Sequence, residues 1–188
     1  MNTPKKKIVV GVGALVTLAL VVCGIAGCGS SGGSSTTTST TEIPGLPPDP
    51  GEAGKATLAG IDSDHDGVRD DIQRYIAITY PNSAKTRAAL TQGAKVMQDE
   101  LLDANNKEKS ILHAEESDRV QSCLWYVFGS VAAYGKVLDE LQPIILNTDA
   151  RNKAYFTYDD QLGGQVFSAV PYDQRATACN FDVTALPN

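Results

Sequence analysis

Apolar positions along this chain change their spacing in steps, and each step marks an element. From Ile8 to Val22 they run almost unbroken, and the stretch from Ile8 to about Ala26 is nearly as long as the roughly 20 residues that span a bilayer. From Gly29 to Glu42 there is no apolar residue to bury, so Gly, Ser and Thr should form a flexible linker. Ile43 to Gly51 carries Pro44, Pro47, Pro48 and Pro50 and reads as a stiffer, polyproline-like spacer. Helical periodicity begins with Ile72, Tyr75, Ile76 and Thr79, and Pro81 stops it. Ser83 caps a second helix to about Ala104, with Leu90, Ala94, Met97 and Leu101 on one stripe, and Asn105-Asn106 breaks it. A third helix starts between Lys107 and Ser117 and runs to about Leu141, before Pro143. Its stripe is Val120, Cys123, Leu124, Val127, Phe128, Val131, Tyr134, Leu138 and Leu141; Trp125 and Tyr126 widen it, which predicts burial on most sides. A fourth helix spans Thr148 to about Gln161, using Tyr155, Tyr158 and Leu162, and Gly163-Gly164 ends it before an irregular tail. The pattern predicts a small all-α domain of four antiparallel helices joined by short connections.

Between spacer and first helix lies Asp62-Ser63-Asp64-His65-Asp66-Gly67-Val68-Arg69-Asp70-Asp71-Ile72-Gln73. Numbered from Asp62, carboxylates fall at positions one, three and five, a glycine at six, and Asp70 at nine, the spacing of a calcium loop that feeds a helix. Asp62, Asp64, Asp66, the Val68 carbonyl, Asp70 and Gln73 are the candidate ligands. His65, at position four, should face solvent. Position twelve departs from the strong pattern, because Gln73 replaces a bidentate Glu. That moves the expected affinity for calcium toward the extracellular range of roughly 0.1 to 1 mM. Without an ion the same segment reads as an Asp-rich turn whose Asp70 and Asp71 favour the helix N-terminus. Thr57 to Ile61 is too short and too glycine-broken for an entering helix, so the loop resembles thrombospondin type 3 and dockerin-like calcium loops more than a paired EF-hand.

The apolar run from Ile8 follows Lys5-Lys6-Lys7, the form of a bacterial export signal. It ends at Ile25-Ala26-Gly27-Cys28, which resembles the bacterial lipobox. The resemblance implies cleavage before Cys28 and its diacylation, and two acyl chains give firm membrane anchoring. The segments are then 1–27, signal peptide; 28–56, lipidated cysteine and linker; and 57–188, helical domain with the calcium-type loop at its start. An uncleaved membrane anchor over Ile8 to about Ala26 is the other reading, and it tethers the same domain. Gly29 after the cysteine leaves outer-membrane sorting open.

The chain has 188 residues, 42% hydrophobic and 20% charged, with a formal net charge of -6. Loss of the three signal lysines takes Lys+Arg from 16 to 13 against 22 Asp+Glu, about -9. That balance, without a basic cluster in the mature part, excludes a nucleic-acid partner. Of four cysteines, Cys23 leaves with the signal and Cys28 takes lipid. Cys123 and Cys179 remain, and in an oxidising compartment two such cysteines pair, here contributing about 3 to 4 kcal/mol.

Catalytic signatures are missing: there is no His-Glu-x-x-His, Gly-x-Ser-x-Gly or phosphate-binding glycine loop. His113 has no second ligand at metal spacing, and Glu115, Glu116 and Asp118 read as a solvated helix start. Gly60 through Ile76, followed by Tyr80-Pro81-Asn82-Ser83, is similar to a group of uncharacterised proteobacterial lipoproteins, over roughly residues 57 to 182. The resemblance implies such a loop opening a small helical domain with two cysteines further on, and brings no activity. The expectation is a non-enzymatic, lipid-anchored cell-envelope protein, its helical domain stabilised by calcium and contacting an envelope protein or the cell wall. A small-ligand carrier or hydrolase with an aromatic cavity around Trp125 is the alternative.

Overall fold

A computed structural model describes residues 45–188. The expected export signal, the expected lipidation site Cys28 and the Gly/Ser/Thr stretch lie outside the described residues. Those described are all-helical, with five α-helices, two 3₁₀ segments and no strand. Helix α1 is Asp70–Thr79, α2 Ala84–Leu102, α3 Lys107–Phe128, α4 Val131–Ile145 and α5 Asp149–Gln161.

Each helix starts where a short polar side chain can satisfy an orphan N–H. Ser83 Oγ accepts from Thr86 N, Asn106 Oδ1 from Lys109 N, Ser130 Oγ from Ala133 N and Thr148 Oγ1 from Arg151 N. Helix α1 is the exception: its N-cap is Arg69, which makes no side-chain cap bond. Neither Asp70 nor Asp71 takes that role, since their carboxylates are engaged elsewhere.

The long third helix expected to run on to Leu141 is two helices. Gly129 adopts φ +78°, the left-handed conformation that closes a helix, and Ser130 immediately caps the next one. The apolar stripe continues across this break, and that continuity hides it. Helix α4 then runs past its expected end, carrying Pro143 inside it to Ile145. The N–H that proline lacks would have served the Asp139 carbonyl. Both residues are exposed, so the missing bond is not buried. The expected burial on most sides also fails, with Tyr126 44% and Val131 60% exposed.

The core is built from Val68, Ile72 and Ile76 at the entrance, Ala89, Leu90, Ala94 and Leu101 of α2, and Val120, Cys123 and Leu124 of α3. Leu141 and Ile145 of α4 and Ala154 and Tyr158 of α5 complete it. Helices α2 and α3 approach closely at Gly93, where an added Cβ would meet Val120 Cγ1 at 3.2 Å. Ordered packing starts earlier than Thr57. The Pro47 carbonyl accepts from buried Arg74 at 2.7 Å, and Gly51–Lys55 forms a 3₁₀ turn with Gly54 buried.

The tail holds a 3₁₀ segment, Tyr172–Ala178, and is otherwise irregular. Cys123 and Cys179 stand in disulfide-bonding position, Cα atoms 4.9 Å apart across a separation of 56 residues. A bond over that separation contributes about 4 kcal/mol by loop-closure entropy. Gln92 adds a polar clasp, donating to the Ala178 carbonyl and accepting from Asn180 N, both at 3.0 Å. Trp125 lies under this tail: the Arg175 guanidinium sits 3.6 Å from its ring centroid and Tyr172 packs edge-on at 5.0 Å. His113 bridges Asp103 (3.0 Å) and Glu116 (3.3 Å), closing the α2–α3 turn.

One carboxyl lies deep between helices. Glu100 is 4% exposed and accepts from the Tyr158 hydroxyl at 3.0 Å. Burial pushes its pKa up to about 7, outweighing the hydrogen bonds from Ser117 and Tyr158 that favour the charged form. Between about pH 4.5, its ordinary value, and 7, the folded chain therefore holds a proton that the unfolded chain has released. This group's contribution to stability falls as pH rises through that window and is constant above it. Glu100→Gln should remove that decline, gaining up to about 3 kcal/mol on wild type at pH 8 relative to pH 5. Urea unfolding at both pH values checks it; parallel pH profiles for the two proteins would refute it.

Candidate metal centre

The loop before α1 is shaped by its own acidic side chains. Asp62 Oδ1 accepts from Asp66 N at 3.2 Å and Oδ2 from Gly67 N at 3.0 Å. Asp66 Oδ1 accepts from Val68 N at 2.8 Å, and Asp70 Oδ1 reaches back to Ser63 N at 2.8 Å. The loop closes by an Asp70 N to Ile61 carbonyl bond of 2.8 Å. Two left-handed residues make the turns, His65 at φ +58° and Gly67 at φ +89°. A Cβ on Gly67 would also crowd the Lys95 stem, with Cε at 3.0 Å and Nζ at 3.1 Å.

This backbone brings Asp62, Asp64 and Asp70 together, each offering an oxygen within 4.8 Å of the others. Three carboxylates so placed could hold a metal ion, and an all-oxygen donor set suits a hard divalent cation. Asp66 stands outside the triad, turned to Val68 N and to the Gln73 amide. The Val68 side chain belongs to the core, and His65 is exposed.

Gln73 completes the arrangement. Its Nε2 donates to Asp64 Oδ2 at 2.9 Å and to Asp66 Oδ2 at 3.2 Å, while its Oε1 is buried without a partner. The amide thus gives the carboxylates the positive end of a dipole where a cation would supply charge. A half-turn about the last side-chain bond exchanges N and O and turns the oxygen toward the carboxylates. The donor chemistry of the Asp62, Asp64 and Asp70 triad is compatible with a cation. The hydrogen bond from the Gln73 amide is also the main reason the Asp64 pKa lies below its ordinary value. Burial lifts that of Asp66, reinforced by the charges of Asp64 and Asp62.

Below the loop lies a feature that sequence reasoning missed. Arg69, at position eight, is 1% exposed, and its guanidinium grips Asp71 with two bonds of 2.9 Å. The same group donates to the carbonyls of Ile145 (2.9 Å) and Ile144 (3.1 Å), which end α4. Burial alone would lift the Asp71 carboxyl, but bonding to Arg69, with help from Arg151 and Asn147, holds it below its ordinary range. Arg151 of α5 is 0% exposed and donates to the carbonyls of Gly54 (2.7 Å), Thr57 (3.1 Å) and Leu58 (3.2 Å), and to Asn147 Oδ1. Gly60 lies between the two guanidiniums at φ +72°. A Cβ there would fall 2.5 Å from Arg69 Cδ and 2.8 Å from Arg151 Nη2. The only sequence signal was an arginine set among carboxylates in an otherwise solvated loop.

No family model, curated protein or solved structure matches the chain.

Arg69 is buried and Asp71 half-buried, so removing the guanidinium leaves a partly shielded carboxylate and the Ile144 and Ile145 carbonyls without their donor, whereas removing both charges is milder. Arg69→Met should cost about 2 to 4 kcal/mol. In a double-mutant cycle with Asp71→Leu, the double variant should be less destabilised than the sum of the singles by about 1 to 3 kcal/mol. Chemical denaturation of the four proteins measures this, and simple additivity would show that the pair carries no coupling.

Proposed function

We propose that the protein is a membrane-tethered cell-envelope lipoprotein without enzymatic activity. Its helical domain is stabilised by calcium at the entrance loop and serves protein or cell-wall contacts. The observation that carries this reading is the meeting of Asp62, Asp64 and Asp70 at loop positions one, three and nine, where the chain enters helix α1. Asp62, Asp64, Asp70 and, after its half-turn, Gln73 would hold the ion. A calcium ion there supplies charge neutralisation, not reaction chemistry. Lys5 to Cys28 supports export and lipidation, and the linker after it supports display at a distance from the membrane. A neutral residue at position twelve and the Lys95 ammonium beside the loop both favour weak binding, suited to a compartment where calcium is abundant. The Cys123–Cys179 pair agrees with an oxidising compartment.

Two arms test it on the full-length chain. Labelled palmitate should enter the wild type in bacterial cells and not Cys28→Ala. In detergent, calcium at ten to a hundred times its Kd should stabilise the fold by about 1.4 to 2.7 kcal/mol over chelator. Asp64→Ala should abolish that shift. Equal melting of the wild type with calcium and with chelator removes the metal from this reading; label entering Cys28→Ala as well as wild type removes the anchor.

A further inference from the structure

Away from the loop, helices α2, α3, α4 and α5 and the residues after α5 line a half-open cavity of about 420 Å³. This is within the roughly 300 to 1,000 Å³ typical of small-molecule sites. Its lining has a one-sided chemistry. Glu100, Asp118 and Asp159 contribute three carboxyl groups, and Tyr155, Tyr158 and Phe167 contribute three aromatic rings. None of the lining residues is a lysine, arginine or histidine. The acids are graded by depth, with Glu100 buried, Asp118 half-buried and Asp159 exposed. Trp125, around which the alternative reading placed an aromatic cavity, is not among the lining residues.

We propose that this cavity binds a small organic cation, an ammonium group carried on an apolar body. The graded carboxylates draw a positive charge inward, and the aromatic faces hold a cation through their negative quadrupole. Glu100 at the deep end meets the ammonium group with a carboxyl oxygen, fixed in place by the Tyr158 hydroxyl. An anion of the same shape is repelled by three carboxyls and finds no cationic partner on the lining. A neutral analogue keeps the apolar contacts and loses the charge pairing. Burial lifts the Glu100 carboxyl above its ordinary value and, from a shallower position, that of Asp118; a charge pair in a cleft so shielded gains more than in open water. The inference is independent of the loop and of the lipid anchor.

Three probes with one phenylethyl body separate the terms: phenethylamine, 2-phenylethanol and 3-phenylpropionate, titrated into the full-length chain at pH 8 by calorimetry. The amine should bind at least about tenfold more tightly than the alcohol, and the carboxylate should not bind detectably. Glu100→Gln should weaken the amine about tenfold and leave the alcohol unchanged. If that variant does not fold, Asp118→Asn decides: a weakened amine supports the site, and wild-type affinity overturns it. Equal binding of amine and alcohol, binding of the carboxylate as tight as the amine, or no binding of the amine would each overturn the proposal.

Discussion

Two buried guanidiniums hold the entrance segment onto the helices. Arg69 reaches from the loop to the last carbonyls of α4, and Arg151 reaches from α5 to the carbonyls of Gly54, Thr57 and Leu58. The entrance segment has little secondary structure to satisfy its own backbone, and buried carbonyls without donors are costly. A planar fork with five donors serves several of them from one side chain. Asp71 and Asn147 close the polar set between the two arginines. Gly60 is required where the chain passes between them.

The same clamp explains why so acidic a loop is well formed. One end is fixed by Arg69 and Val68, both buried, and the other by the bond from Asp70 N to Ile61. Between those anchors the Asp side chains satisfy the loop's own N–H groups and converge on a small volume. The loop is therefore held in a cation-ready shape by contacts that need no cation. A bound ion would add charge neutralisation at a geometry already set, which suits a weak stabilising role better than a conformational switch.

The helical class was legible because Ile72/Ile76, Leu90/Ala94/Leu101 and Tyr155/Tyr158 keep helical spacing strictly. The turn before α1 was legible because alternate aspartates and a glycine favour a tight loop whose side chains bond its own N–H groups. The split at Gly129-Ser130 was written in plain cap residues but masked by an apolar stripe continuing across it. Pro143 misled because a proline on an exposed face near a helix end costs little. Arg69 and Arg151 were illegible for a different reason. Their burial depends on carbonyls many residues away in the sequence, and no local pattern marks an arginine that will end up inside. Glu100 is similar, since its burial is set by α5 packing Tyr158 against α2.

If the clamp makes entrance loop and bundle one cooperative unit, the loop must open only when the whole domain does. Native-state hydrogen exchange in chelator, without any metal to help the loop, measures this at the Asp70 amide, whose acceptor is the Ile61 carbonyl. The account predicts an opening free energy within about 1 kcal/mol of that for the Leu124 amide in the core of α3. An Asp70 amide that exchanges through a much cheaper local opening, with Leu124 still protected, would contradict it.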